Sequence, residues 1–255
     1  MQIRSGGLRR PKAVISPFNS NIIQVHNPYT ALWWSAAFPG AGHILLGKGI
    51  KGVLLFLWEF AINTQSHLNQ AIYLSMTGEF DAAKACLDIR WFFLYIAIYI
   101  FVMWDSYRLA TELNQFSVLA DRARVPLPAF RMNSFEINYL MKASPWFGIV
   151  WSLFMPGLGH LISRNLASGL YLMLSHILIV YKSNFLSAVF YTMTGEFALA
   201  TSSLDPQWLL YLPSVYVFAA SDSYYRILAS NRMFEIEQAR HLRNRYNPPD
   251  FKMPV

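Results

Sequence analysis

The stretch FPGAGHILLGKGIKG, from Phe38 to Gly52, interrupts an apolar segment with one proline and five glycines. A related stretch, MPGLGHLISRNLASG, runs from Met155 to Gly169. Proline lacks the backbone N–H and breaks a helix, while glycine allows a tight reversal and a close approach of neighbouring backbone. Each stretch therefore predicts a broken helix that packs closely against other segments.

Outward from this motif, the two halves of the chain align without a gap when one is shifted by 117 residues. About a third of the positions between 31 and 107 are then identical. The identical positions pair the motif residues Pro39, Gly40, Gly42 and His43 with Pro156, Gly157, Gly159 and His160. They also pair MTGEF at 76–80 with 193–197, and Asp-Ser-Tyr at 105–107 with 222–224. This internal repeat predicts two tandem units of the same fold.

The repeat and the polar segments around it predict five regions. These are a cytoplasmic N-terminal tail at 1–30, a first membrane unit at 31–107, a cytoplasmic linker at 108–144, a second membrane unit at 145–224, and a cytoplasmic C-terminal tail at 225–255. Each unit should hold a motif segment and two further apolar helices. Asp88 and Asp205 are the expected N-caps of the last helix, and Thr77 that of a short helix before it. The linker after 107 and the C-terminal tail after 224 should each begin as a helical stalk that continues from the membrane unit before it.

Composition indicates an all-α protein that crosses the membrane several times. Hydrophobic residues make up 55% of the chain and charged residues only 14%, against about a quarter in soluble domains. The net charge is +7, but the basic residues crowd into polar segments that flank apolar ones, which is typical of cytoplasmic loops and not of nucleic-acid binding. Cys86 is the single cysteine, and no Cys/His spacing suggests a metal site.

The number of membrane crossings depends on the motif segments, which are shorter than the about 20 residues that a spanning helix needs. If each segment enters and returns on one side, a unit crosses twice and both units point the same way. If each segment spans, a unit crosses three times and the units are inverted. The basic segments favour two re-entrant hairpins with four spanning helices and cytoplasmic termini. Six spanning helices remain the alternative.

At these residues the chain resembles small bacterial multi-pass membrane proteins that carry a Pro-Gly-x-Gly turn, including TM2-like domains. The Pro-Gly-x-Gly-His motif and the element Asp105-Ser106-Tyr107-Arg108 before a basic tail carry the resemblance. The second unit departs from the pattern, because Arg164 replaces Gly47 after the motif and Tyr225 replaces Arg108. The resemblance implies a helical membrane fold and no particular activity.

Polar residues inside spanning helices are functional candidates because they are costly in lipid. Glu59 and His176 occupy equivalent positions of the two units, and a two-fold arrangement would bring them together. Asn63 and His67 follow Glu59 at helical spacing, so all three are expected on one face. They would form either a solute path or a polar contact between helices.

Asp105 and Asp222 are predicted to end the last helix of each unit. A carboxylate at a helix C-terminus opposes the helix dipole and needs a partner. We expect each aspartate to contact a motif turn, either through His43 or His160 or through backbone N–H groups that the break leaves free. This role is structural.

Together these observations favour a cell-membrane scaffold or accessory subunit without enzymatic activity. A small transporter or channel with a polar path near Glu59 and His176 is the alternative, and an enzyme ranks third. No catalytic residues, metal or cofactor are predicted. The expected partners are the lipid bilayer, another membrane protein or a cytoplasmic protein at the basic tails, or a second copy of the chain.

Overall fold

The computed structural model describes residues 11–123, 125–127 and 130–246. The described chain is mostly helical and belongs to the all-α class. The outermost parts of the two predicted tails, 1–10 and 247–255, lie outside the described residues, as do Arg124, Pro128 and Ala129 of the linker.

The first half begins with a strand pair and continues with six helices. Its elements are β1 (Ala13–Ile15), β2 (Ser20–Ile22), α1 (Pro28–Ala37), α2 (Ala41–Leu45), α3 (Gly49–Ser66), α4 (Leu68–Met76), α5 (Phe80–Cys86) and α6 (Ile89–Ala123). The second half has the elements β3 (Phe130–Met132), β4 (Ile137–Tyr139), α7 (Pro145–Phe154), α8 (Leu158–Ile162), α9 (Leu166–Lys182), α10 (Phe185–Met193), α11 (Phe197–Ser203), α12 (Pro206–Leu209) and α13 (Tyr211–Tyr246). Each strand pair is an antiparallel hairpin, β1 with β2 and β3 with β4.

Helices α1 and α2 form a hairpin whose two ends lie at the same end of α6. The Ser106 hydroxyl donates to the carbonyl of Ala31, and the Tyr99 hydroxyl donates to the carbonyl of Ala36, so α1 runs antiparallel to α6. After the turn at Pro39, Leu46 returns to pack with Ala31 and Leu109. Helix α1 therefore runs along α6, the chain reverses at Pro39, and α2 returns toward the start of α1.

Helix α3 then runs the length of the bundle beside α6. Lys51 near its start contacts Asp105, and the carbonyl of Ser66 at its end accepts from the N–H of Asp88, 3.1 Å away. The same bond closes the second half, from the N–H of Asp205 to the carbonyl of Ser183 at 3.1 Å. Helices α3 and α9 are thus each antiparallel to the long helix that follows them.

The two halves lie side by side and point in the same direction. At one end, Arg226 Nη2 donates to the carbonyl of Ile44 across 2.8 Å. At the other end, Asn69 Nδ2 donates to the carbonyl of Gln207 across 3.0 Å. Between these contacts, one apolar cluster contains side chains of both halves, including Trp34, Phe38, Phe56, Phe60, Leu172, Ile179, Tyr211, Val215 and Phe218.

The predicted N-cap at Asp88 is confirmed, whereas Asp205 caps the short helix α12 that precedes the long helix α13. Asp88 Oδ1 accepts from the N–H of Arg90 at 2.9 Å, and Asp205 Oδ1 accepts from the N–H of Gln207 at 2.9 Å. The prediction for Thr77 was wrong, because its hydroxyl donates to carbonyls at the end of α4 and Glu79 occupies the N-cap position of α5.

The predicted stalks are also confirmed, since α6 and α13 run through residues 107 and 224 without a break. With 35 and 36 residues, they are each about 50 Å long. At this end the two strand hairpins join the stalks, and a second small core forms from Ala13, Ile15, Leu140 and Met233. Sequence analysis missed both hairpins because three-residue strands carry almost no periodic signal.

By length and composition, α6 is suited to crossing a membrane. Helices α9 and α10 meet the same test only as one span bent by 61°. Only 22% of the apolar window of α6 is buried, so most of its apolar surface faces outward.

Candidate functional site

The two Pro-Gly-x-Gly-His turns have nearly the same geometry. Gly40 and Gly157 adopt left-handed conformations with φ of 98° and 105°, which favour glycine. A Cβ on Gly40 would lie 2.4 Å from the carbonyl oxygen of Gly52, and one on Gly157 would lie 2.4 Å from that of Gly169. Each turn therefore requires glycine both for its conformation and for its packing on the next helix.

The second motif glycine lets the short returning helix pack on the entering one. A Cβ on Gly42 would lie 2.2 Å from the carbonyl oxygen of Ala31. A Cβ on Gly159 would lie 2.3 Å from the carbonyl oxygen of Gly148. This close approach brings the following histidine to the long helix of its own half.

Each motif histidine pairs with the aspartate of its own half. His43 Nε2 lies 2.8 Å from Asp105 Oδ2, and His160 Nε2 lies 2.9 Å from Asp222 Oδ2. All four side chains are buried. The predicted contact between aspartate and motif turn is therefore confirmed, and both pairs lie within one half.

Cations complete the two clusters in different ways. Asp105 also accepts from Lys51 of α3 and from Arg108, whose Nη2 is 2.8 Å from Oδ1. Asp222 accepts from Arg226 Nε at 2.7 Å, and the same guanidinium reaches into the first half to the carbonyl of Ile44. Arg226 thus ties the second His–Asp pair to the first motif turn.

The predicted position of these aspartates was wrong in one respect. Asp105 and Asp222 do not end a helix, because α6 continues to Ala123 and α13 to Tyr246. The helix dipole is therefore not the reason that they need partners. Burial is the reason, since a buried carboxylate requires compensating charges and hydrogen bonds.

Glu59 and Asn63 belong to a buried hydrogen-bond network between the halves. Asn63 Nδ2 donates to Glu59 Oε1 at 2.8 Å and to Asn69 Oδ1 at 3.1 Å. Gln207 of the second half donates from Nε2 to Asn63 Oδ1 at 2.9 Å, and its Oε1 accepts from the N–H of Gln70 at 3.0 Å. The network joins α3 and α4 to α12.

A cavity of about 370 Å³ adjoins Glu59. Its walls come from the ends of α1 and α3, from α4, and from the first turns of α6 and α13. Aromatic side chains form much of this wall, namely Phe38, Phe92, Tyr95, Tyr99 and Tyr211. Glu59 is 3% exposed, and its Oε2 has no hydrogen-bond partner among the described residues.

Two members of the predicted polar site lie elsewhere. His67 is exposed and adopts φ 55°, so it ends α3 and does not share the buried face of Glu59. His176 packs its ring edge-on against Tyr216 with the centroids 5.1 Å apart. Within the described chain no hydrogen bond or ion pair joins His176 to Glu59, so the two residues do not form the polar contact that a two-fold arrangement could allow.

Sequence analysis missed the partners that complete both sites. Lys51 and Arg226 were assigned only to basic segments, although each contacts a buried aspartate. Asn69 and Gln207 carried no signal, because their equivalents in the other half are Leu186 and Arg90 and the alignment drew attention to identical positions. A search for polar residues in one half that align with apolar residues in the other half would have found Asn69.

Within residues 11–123, 125–127 and 130–246, no group of three or more His, Cys, Asp or Glu side chains could hold a metal ion. The hydroxyl of Ser106, next to Asp105, donates to the carbonyls of Ala31 and Met103 and is not aligned with His43. The His–Asp pairs therefore act as buried clamps that hold each motif hairpin against its long helix.

Comparison with known proteins found no matching protein-family model, no matching curated protein and no matching solved structure.

Proposed function

We propose that this chain is a multi-pass membrane protein that serves as a non-enzymatic scaffold or accessory subunit. In this proposal α3, α6, α9 and α13 cross the bilayer, and the hairpins α1–α2 and α7–α8 are re-entrant. The TM2-like resemblance is part of the same proposal.

The outward-facing apolar surface supports membrane insertion. Large apolar side chains on α6 and α9 are exposed along the middle of the bundle, among them Phe93, Leu94, Ile100, Phe101, Leu174 and Ile177. Apolar patches of this extent are rare on soluble monomers. Helix α3, with 18 residues, is about 27 Å long, close to the about 30 Å hydrocarbon thickness.

Charge supports one orientation. The end that carries the stalks and strand hairpins holds most of the basic residues, including Lys12, Lys48, Arg122, Arg131, Lys142, Arg232, Arg240 and Arg243. The opposite end, formed by α4, α5, α10 and α11, carries Glu79, Asp81, Asp88, Glu196 and Asp205. The positive-inside rule then makes the stalk end cytoplasmic.

The folded platform at the stalk end is the observation that carries the scaffold role. The stalks extend beyond what a membrane span requires, and the hairpins tie them together. Lys12 Nζ, for example, donates to Ser117 Oγ at 2.7 Å and contacts Asp121 Oδ2 at 2.8 Å. Such an ordered structure is more than topology alone needs, and it suits docking of another protein.

Labelling of single cysteines tests the membrane arrangement. In a Cys86→Ser background, cysteines at Asp81 and Ser202 should react with an impermeant thiol reagent on intact cells. Cysteines at Lys48 and Asn133 should react only after permeabilisation. All four positions are exposed, so accessibility does not limit the reaction. Labelling at Lys48 together with protection at Asp81 would contradict the re-entrant hairpins.

Photo-crosslinking in cells tests the scaffold role. A photoreactive amino acid at Arg243 on the exposed side of the stalk should give a discrete protein adduct. The same group at Leu174, on the apolar surface, should give lipid adducts only. If both positions give only lipid adducts, or none, the scaffold proposal fails even when the topology is as drawn.

A further inference from the structure

The cavity beside Glu59 has no part in the scaffold role. It lies deep in the bundle, since Glu59 is about 15 Å along α3 from its first residue. Residues of α4 and of the first turns of α6 and α13 line it, and these segments lie far from the strand hairpins at the stalk end. Its volume, about 370 Å³, falls within the range of small-molecule sites.

The carboxylate in this cavity is only half satisfied. Asn63 occupies Oε1, whereas Oε2 has no hydrogen-bond partner among the described residues. The Tyr95 hydroxyl also reaches the carboxyl group of Glu59, although Oε2 makes no hydrogen bond of regular geometry. An unpaired charge at this burial is costly, so the carboxyl either carries a proton or pairs with a positive charge that the described chain does not place there.

The cavity wall decides what kind of cation fits. Calcium and magnesium require several oxygen ligands, and around Glu59 no second carboxylate is available in the part of the chain that the structure describes. Aromatic faces, in contrast, attract cations and pack well on alkyl groups. Five aromatic side chains with one carboxylate are the chemistry that recognises an organic ammonium ion.

We propose that this cavity binds a small alkylammonium ion, with its charge at Glu59 and its alkyl groups against Tyr95, Tyr99 and Tyr211. Tyr99 is held in place because its hydroxyl donates to the carbonyl of Ala36 at 2.7 Å. Tyr211 is fixed by edge-on contacts with Phe60.

Among the described residues, the second half does not repeat this site. In the second half His176 takes the place of Glu59, and Leu212 takes the place of Tyr95. Neither the carboxylate nor this aromatic wall is repeated there. His176, which does not line the cavity, therefore supplies a matched control position within the same protein.

Two sources of alkylammonium are chemically equivalent at this site. One is a free amine or quaternary ammonium solute, and the other is a lipid headgroup that carries such a group. The residues that line the cavity do not distinguish these two sources, so the experiment has to vary the lipid composition of the bilayer.

The test uses the full-length protein in nanodiscs of phosphatidylglycerol, which carries no ammonium group. Titration calorimetry should show binding of choline. Its neutral isostere 3,3-dimethylbutan-1-ol should bind at least about tenfold more weakly, because it lacks the charge that Glu59 and the aromatic faces attract. Glu59→Gln should weaken choline binding by about tenfold or more, whereas His176→Gln should leave it unchanged.

Several results would overturn the proposal. Equal affinities for choline and the alcohol would show that the cavity recognises apolar groups and not the positive charge. Displacement of choline by equimolar sodium would mean an inorganic cation site. Wild-type affinity of the Glu59→Gln variant for choline would show that the carboxylate takes no part in recognition. If Glu59→Gln does not fold, Ser214→Phe at the cavity wall must abolish binding by filling the space, and retained binding would again refute the site.

Nanodiscs with phosphatidylethanolamine or phosphatidylcholine distinguish the sources. A lower apparent affinity for choline in these bilayers would identify the headgroup as the natural occupant. An unchanged affinity would identify a free solute. No choline binding in phosphatidylglycerol would refute the proposal without affecting the scaffold role, which the crosslinking experiment tests separately.

Discussion

The same residue types meet different surroundings in the two halves. Trp34 and Trp151 are equivalent, as are Phe218 and Phe101. Trp34 packs edge-on against Phe218, with 9% and 1% of their surfaces exposed. Trp151 and Phe101, which a two-fold arrangement would pair, are 48% and 49% exposed. The interface between the halves is therefore one-sided.

The polar contacts show the same asymmetry. Gln207 is buried against Asn63 and Asn69, while its equivalent, Arg90, is exposed. The equivalent of Asn69 is Leu186, which is exposed and apolar. Side chains that meet across the interface are polar and matched, whereas their counterparts, Arg90 and Leu186, are exposed on the free surface. Residues that are identical in the two halves therefore determine the fold of each half. Residues that differ between the halves determine how the halves pack together.

Neutralising the two buried aspartates should give the largest effect and should separate the halves. We expect Asp222→Asn to lower the free energy of unfolding by about 4 kcal/mol, because Arg226 is only 12% exposed and would lose its charge partner. Asp105→Asn should cost about 2 kcal/mol, since Lys51 and Arg108 are more than 40% exposed and can turn to water.

Equilibrium unfolding in mixed micelles measures both losses. Lys142→Gln, which breaks the exposed ion pair with Glu235 on the stalk, serves as the control and should change little. Wild-type stability of Asp105→Asn would show that the His–Asp clamp holds nothing, and equal losses in the two variants would refute the difference between the clusters.

The second motif glycine should be as important in one half as in the other. Gly42→Ala and Gly159→Ala should each lower the free energy of unfolding by about 3 kcal/mol, because the new Cβ meets backbone that cannot move aside. Gly49→Ala is the control, since nothing lies within 4 Å of its Cβ position. Thermal unfolding in detergent would check this, and a tolerated Gly159→Ala would mean that α8 does not return against α7.

Truncating the equivalent tryptophans tests the one-sided interface directly. Trp34→Ala should cost about 3 kcal/mol, because its buried ring packs edge-on against Phe218. Trp151→Ala should cost below about 0.5 kcal/mol, since its side chain is half exposed. The same unfolding assay applies to both. Equal losses would indicate that Trp151 is covered, for instance by a second copy of the chain.

Much of each half could be predicted from residues that have a local physical requirement. The glycine and proline turns, the caps at Asp88 and Asp205, and the contact of Asp105 with His43 all follow from backbone sterics or from the cost of burying charge. These features also recur in both halves, so the alignment of the two halves identified them.

What could not be predicted depends on how the halves meet. The expectation that Glu59 would face His176 assumed a two-fold axis, and nothing in the residues excluded the one-sided packing that occurs. Asn69 and Gln207 become partners only through that packing. The strand hairpins were not predicted for another reason. Their three-residue strands, at 13–15 and 130–132, depend on tertiary contacts for their stability.

The smallest expected effect concerns His67 and Asn184, the equivalent residues at which α3 and α9 end. Both adopt φ 55°, a conformation that alanine enters at a cost of about 1 kcal/mol. His67→Ala should lose about that much free energy of unfolding. Asn184→Ala should lose somewhat more, because its Nδ2 also donates to the carbonyl of Ser203 at 3.2 Å. The glycine variants supply the control, since glycine accepts this φ: His67→Gly should stay near wild type, whereas Asn184→Gly should keep only the loss of the side-chain bond. If both alanine variants match their glycine counterparts, the left-handed residue does not fix the bend after α3 and α9, and the bend must come from the packing of α4 and α10 instead.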